Sequence, residues 1–274
     1  MKRIILIILI FFTFLDANKN NSPLESTNIV SDTINMLKSK NPEYEYSMGI
    51  ELTTVMNKDE IYPVNDNKVV YLTNILNNLV VSSEKPYMYD GYKLLLVRND
   101  NFNAFALPGG IIIINDGLFK YLDNEDQLAV ILSHEIGHVQ ERHSIETNKG
   151  SILNDIAKIS AALAISKKIE NNQIQALAFN ISTKMSDSIE NGYNVDMEAE
   201  ADLIGVNIMY KTGYDPNEFV NVLNKLKTIT NNYGGANYPE NRVERLENII
   251  KSFNYENNQE NKNLRKIRFA KYKL

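Results

Sequence analysis

The 274-residue sequence contains no cysteine, only three histidines, and no large excess of either charge. Without cysteine there is no disulfide, no thiolate nucleophile and no cysteine-based zinc site, so a bound metal must be held by nitrogen and oxygen. The 29 basic and 34 acidic residues leave a net charge of −5. That balance argues against bulk nucleic-acid binding, which needs a concentrated basic surface to neutralise phosphate. No segment recurs at a fixed spacing, which argues against solenoids and propellers. With 43% hydrophobic and 23% charged residues, the chain is neither disordered nor collagen-like and can bury a core. What is present is concentrated: His134, His138 and His143 all fall within one ten-residue stretch.

At the N-terminus, Met1-Lys2-Arg3 precedes an apolar run from Ile4 to Leu15, broken only by Thr13, and then the polar Asp16-Ala17-Asn18-Lys19-Asn20. This pattern predicts a secretory signal peptide over residues 1–17. The run is well short of the roughly 20 residues that span a bilayer, which favours cleavage over anchoring. The expected destination is the periplasm or cell envelope of a bacterium.

Three segments follow the signal: an N-terminal linker and helix (18–60), the main folded domain (61–250) and a polar, basic tail (251–274). Helical spacing is read at Val30–Leu37 and Val69–Val81, and strands at Tyr92–Val97 and Ile111–Ile114, with Pro108-Gly109-Gly110 as a turn. Asp123-Asn124-Glu125-Asp126 caps a helix predicted to continue through about Arg142. Further helices are expected at about 152–185, from near Asp196 through Tyr210 to Gly213, and after Asp215-Pro216. The fold class is therefore α+β, mainly helical with a small sheet. The tail reads as solvated and loosely packed. The alternative is a peripheral contact of its lysines and arginines, with Leu264, Ile267 and Phe269, on anionic lipid.

His134-Glu135-Ile136-Gly137-His138 places two imidazoles four residues apart on one helix face, about 40° offset, where both can coordinate one ion. Glu135 stands beside that face. The chemistry requires this division: neutral imidazoles hold Zn²⁺, the ion acidifies its water, and the carboxylate accepts the proton as the water attacks a carbonyl. A third protein ligand is needed. His143, five residues past His138, extrapolates to about 140° around the helix and away from the ion. Glu141 and Ser144 occupy the positions at which a metzincin would carry Gly and His. The third ligand is then expected in Glu198-Ala199-Glu200-Ala201-Asp202. Glu198 and Asp202 share a face that Glu200 does not, so Glu198 is assigned as ligand and Asp202 as the acceptor for a ligand imidazole N–H.

Four motifs, in order, resemble the HtpX/BepA-like zinc endopeptidases, relatives of CAAX prenyl proteases and Oma-type enzymes. They are NAFALPGGIIIINDGLF (103–119), QLAVILSHEIGHVQERH (127–143), GYNVDMEAEADLIGVNIM (192–209) and GYDPNEF (213–219). The resemblance implies a gluzincin fold whose sheet edge borders the cleft. It implies one zinc per chain on His134, His138 and Glu198, catalysis by Glu135, and substrate pairing along Asn103 and Ala104. Two positions depart from the family pattern. Asn194-Val195 stands where Ser-Arg is frequent, and no histidine accompanies Arg242. Tyr193, Tyr238 and Arg242 are the candidates for stabilising an oxyanion. The expected function is hydrolysis of misfolded or unassembled envelope polypeptides. A zinc-stabilised holdase that binds unfolded envelope proteins is the rival reading.

Overall fold

The structure, a computed structural model, describes residues 41–56, 59–148, 150, 184, 192–229 and 241–273. The expected signal peptide, the helix at 30–37, almost all of the expected 152–185 helical region, and Tyr238 lie outside the described residues.

Helix α1 (Pro42–Met56) precedes α2 (Asn67–Val81), whose N-terminus is capped by Asp66 accepting from the Lys68 N–H at 2.8 Å. Strands β1 (Lys93–Val97), β2 (Ala104–Leu107) and β3 (Ile111–Asn115) form a sheet of order β1-β3-β2, with β1 parallel and β2 antiparallel to β3. Central β3 is buried throughout, which is why it reads as an unbroken aliphatic run rather than an alternating one. Its side chains still divide by the period of two: Ile112 and Ile114 join the main core, while Ile111 and Ile113 pack with Leu52 of α1, Ile145 and Tyr193. Strand β2 is an edge of this sheet.

Beyond the sheet come α3 (Leu118–Tyr121), α4 (Glu125–Gln140), α5 (His143–Glu146), α6 (Val195–Thr212), α7 (Glu218–Ile229), α8 (Arg242–Ser252) and α9 (Gln259–Ala270). Asn124 caps α4 by accepting from the Gln127 N–H at 2.8 Å. Helix α4 runs through the main core between the sheet, α2 and α6, carrying Leu128, Leu132 and Ile136 fully buried.

Two expectations are corrected. Helix α4 does not reach Arg142. It ends at Gln140, and Arg142 takes left-handed backbone angles (φ 58°, ψ 33°) before α5 begins. The C-terminal segment is not a loose tail either. Residues 259–270 form α9, in which Phe269 is buried and stacks on Phe119 at 5.7 Å, while just beyond it Tyr272 stacks on Tyr71 at 4.2 Å. The basic residues that suggested a solvated tail are partly consumed inside the protein: Arg265 pairs with buried Asp126 at 2.8 Å. Burying Phe269 contributes on the order of 2 kcal/mol. Of the apolar residues considered for lipid contact, only Leu264 and Ile267 face outward.

Candidate active site

The site exists because α4 and α6 cross at unusually close range. A Cβ at Gly137 would stand 2.8 Å from Ala201 Cα, and one at Gly205 would stand 2.6 Å from the Phe219 ring and 3.2 Å from the His134 backbone nitrogen. Hydrogen at both positions lets the acidic segment of α6 lie directly against the histidines of α4. The α6 N-terminus is fixed by Asn194, which accepts from the Asp196 and Met197 N–H groups at 3.1 and 3.0 Å.

At the crossing, His134 Nε2 lies 2.9 Å from His138 Nε2 and 3.4 Å from Glu198 Oε2, and His138 Nε2 lies 3.7 Å from Glu198 Oε1. Tetrahedral zinc with bonds of about 2.0–2.1 Å keeps its ligands roughly 3.3 Å apart, so these three separations bracket what the ion demands. The donor set also fits: two imidazoles and one carboxylate, all largely buried, with an acceptor behind the first imidazole. That acceptor is Asp202, whose Oδ1 stands 3.1 Å from His134 Nδ1. It leaves Nε2 as the nitrogen free to ligate.

Charge agrees with a cation site. Burial opposes ionisation of Glu198 and Asp202, but the imidazoles and Arg242 outweigh it and hold both carboxyls below the usual range. Arg242, buried at the start of α8, donates from Nε and a terminal nitrogen to the two Asp202 oxygens at 2.8 Å each and reaches Glu198 Oε2 at 3.2 Å. The structure thus places Arg242 against two carboxylates. Glu135 is different. Burial, reinforced by Glu198 and opposed by His134 and by the nearby Ala106 backbone of β2, pushes its carboxyl up to about 8.

Asn103 and Ala104 sit at the start of β2. The Asn103 carbonyl accepts from the Asn115 N–H at 3.1 Å, so Asn103, Phe105 and Leu107 pair with β3. By antiparallel alternation the backbone groups of Ala104 and Ala106 face the other way, off the open edge of the sheet. Tyr193 is buried with its ring 4.5 Å from that of His138, and its backbone N–H donates to Glu198 Oε1 at 3.3 Å.

His143 does not point away, as a continuous helix would require. The left-handed turn at Arg142 returns it to His138, with the two Nδ1 atoms 2.8 Å apart, and Glu200 meets its other nitrogen at 3.1 Å. Gln140-Glu141-Arg142 carries no glycine or proline to announce this turn.

A mainly helical domain with a small mixed sheet, a His-Glu-x-x-His helix and a glutamate from a crossing helix defines a zinc metallopeptidase domain. The family model described as "Peptidase family M48" matches residues 67–254, and the chain belongs to that family. Among curated relatives, it is 32% identical over 171 residues to the β-barrel assembly-enhancing protease of Yersinia pestis, covering 57% of this chain and 32% of that protein. The Escherichia coli (strain K12) protein of the same name is 30% identical over 177 residues, covering 60% and 34%. Mitochondrial metalloendopeptidase OMA1 of Schizosaccharomyces pombe is 28% identical over 164 residues, covering 58% and 44%. The chain thus matches about a third of the length of the assembly-enhancing proteases.

Proposed function

We propose that the protein is a zinc metalloendopeptidase of the bacterial envelope that hydrolyses misfolded or unassembled polypeptides. The observation that carries this reading is the convergence of donor atoms from His134, His138 and Glu198 within 4.8 Å of one another, with Glu135 buried beside them. These three residues would hold one Zn²⁺, which would supply Lewis acidity at the site.

Glu135 acts as general base and then general acid. It takes a proton from the attacking water and returns it to the leaving amide nitrogen as the C–N bond breaks. Asp202 orients His134, and Arg242 acts through its paired contacts with Asp202 and Glu198. The substrate backbone adds to the open edge of β2 at Ala104, next to Asn103, whose own carbonyl is taken by β3. Main-chain pairing of that kind tolerates many sequences but requires an extended, unfolded segment. That requirement suits a protease of faulty chains.

The envelope assignment is supported by the apolar Ile4–Leu15 segment and by relatives whose name refers to β-barrel assembly. No helix among the described residues is long and apolar enough to cross a membrane.

Cleavage of casein by the purified chain, with chelator and with zinc restored, tests the activity. Zinc-dependent cleavage abolished by Glu135→Gln is the expected result. A chain that holds zinc and suppresses aggregation equally in wild type and Glu135→Gln, yet never cleaves, would replace the peptidase with a zinc-bearing binder.

A further inference from the structure

We propose that His143 is a positioning residue for the second zinc ligand, and that Glu200 sets its tautomer, so that His138 is held by an imidazole relay rather than by a carboxylate directly. The proposal rests on the zinc reading above and deepens it.

His138 faces the ligand cluster with Nε2 and places Nδ1 2.8 Å from His143 Nδ1. Two ring nitrogens at that distance share one proton, one donating and the other accepting. For His138 Nε2 to offer a lone pair to a metal, its proton must sit on Nδ1, and His143 Nδ1 must accept it. The proton of neutral His143 then sits on Nε2, which stands 3.1 Å from Glu200 Oε2, an acceptor. Every link in this direction joins a donor to an acceptor.

The opposite direction fails twice. It would place the His138 proton on Nε2, blocking ligation, and would set the bare lone pair of His143 Nε2 against a carboxylate oxygen. Glu200 therefore selects the direction in which His138 is competent to bind. His134 obtains the same service in one step from Asp202. The relay is built at some conformational cost, since Arg142 is one of only two non-glycine residues with positive φ among the described residues, and that turn is what brings His143 behind His138. Glu45 and Glu146 fasten the turn by accepting from the Arg142 guanidinium at 2.6 and 3.1 Å.

A buried histidine can also serve as mere filling, and two substitutions separate the readings. His143→Phe keeps the bulk and removes the acceptor. His143→Asn loses bulk but keeps an amide oxygen near the position of Nδ1. The readouts are the zinc dissociation constant by competition with a chromogenic chelator, the visible spectrum of the Co²⁺-substituted chain, and the melting temperature of the metal-free forms. We expect His143→Phe to bind zinc about 10–100-fold more weakly with a shifted cobalt spectrum, the range typical of a lost ligand-orienting partner. His143→Asn is expected to recover most of that loss. Zinc binding by His143→Phe at wild-type strength overturns the proposal, as does equal weakening in both variants, which would mark a packing role. Should His143→Phe not fold, Glu200→Ala on an exposed side chain decides: weaker zinc binding supports the relay and unchanged binding overturns it. Wild type that binds no zinc at all would instead remove the metal reading itself, leaving that failure distinct from failure of the relay.

Discussion

The two ends of α4 each bury a group of carboxylates, and they treat them differently. At the N-terminal end Glu125 and Asp126 are fully buried. Glu125 accepts from the Tyr71 and Tyr214 hydroxyls at 2.8 and 3.0 Å and from Arg268, while Asp126 accepts from the Asp215 N–H at 2.8 Å and pairs with Arg265. Lys262 completes the group by spanning Asp215 and Glu218. Acids in the first turn also meet the positive end of the helix dipole. At the C-terminal end, Glu198 and Asp202 meet imidazoles whose ligating nitrogens crowd within 2.9 Å of each other. A buried carboxylate whose oxygens are satisfied by permanent cations is part of the scaffold. Asp202 fits that description too, paired with Arg242, but Glu198 also faces two imidazole nitrogens that converge with it on one point, the arrangement of a metal site.

If that distinction is right, substitutions at the two ends should separate cleanly. The largest expected effect is at the catalytic end: Glu135→Gln should lower kcat by about 10²–10⁴-fold, the usual worth of a positioned general base, while zinc content stays at one per chain. Peptide hydrolysis and metal analysis on the same preparation check both halves. Arg265→Ala should do the reverse. It strands Asp126 in the interior, a loss of about 3–5 kcal/mol by the usual cost of breaking a buried pair, measurable by urea denaturation of the metal-free chain. Zinc affinity of the molecules that remain folded should be unchanged. Weakened zinc binding in Arg265→Ala would show that the two ends are coupled along α4, and the comparison would fail.

Gly137→Ala tests the crossing that creates the catalytic end. The added methyl would stand 2.8–2.9 Å from Ala201 backbone atoms, which cannot swing aside as a side-chain tip can. Overpacking of this kind costs about 1–3 kcal/mol. Because the strain separates α6 from α4, Glu198 moves from the imidazoles, so zinc affinity and melting temperature should fall together. A stability loss without a loss of zinc affinity would mean that the helices shift along rather than away from one another.

How much of this was legible beforehand depends on the kind of interaction. The His-Glu-x-x-His spacing is a local consequence of helix geometry, and α4 delivers both imidazoles to one face as the sequence predicts. Asp66, Asn124 and Asn194 cap their helices through side-chain oxygens, a signal that needs no tertiary knowledge. Legibility fails where a long-range partner decides the outcome. Helix α9 is 12 residues of mostly polar sequence with no reason to order by itself; buried Asp126 and the ring of Phe119, more than a hundred residues earlier, provide the reason. Extrapolating 100° per residue misplaces His143 because it assumes that the helix continues, whereas Arg142 breaks it with a conformation that a charged side chain seldom signals.

The smallest effect sharpens the comparison through pH. Burial would raise the Asp215 carboxyl, but hydrogen bonds from Lys262 and Asn217 outweigh it and hold it below the usual carboxylate range. A depressed folded pKa contributes stability above the unfolded value of about 3.9, and that contribution disappears as pH falls through the folded value. Lys262→Met should therefore destabilise the metal-free chain at pH 7 by up to about 1 kcal/mol, since the lysine is partly solvated. The gap from wild type should close toward pH 3 as Asp215 takes a proton and the ion pair ceases to exist. Urea denaturation at both pH values gives the answer. A gap of the same size at pH 3 would mean that the Lys262 methylenes, not its charge, hold α9 down, and the N-terminal end of α4 would then be secured by packing rather than by matched charge.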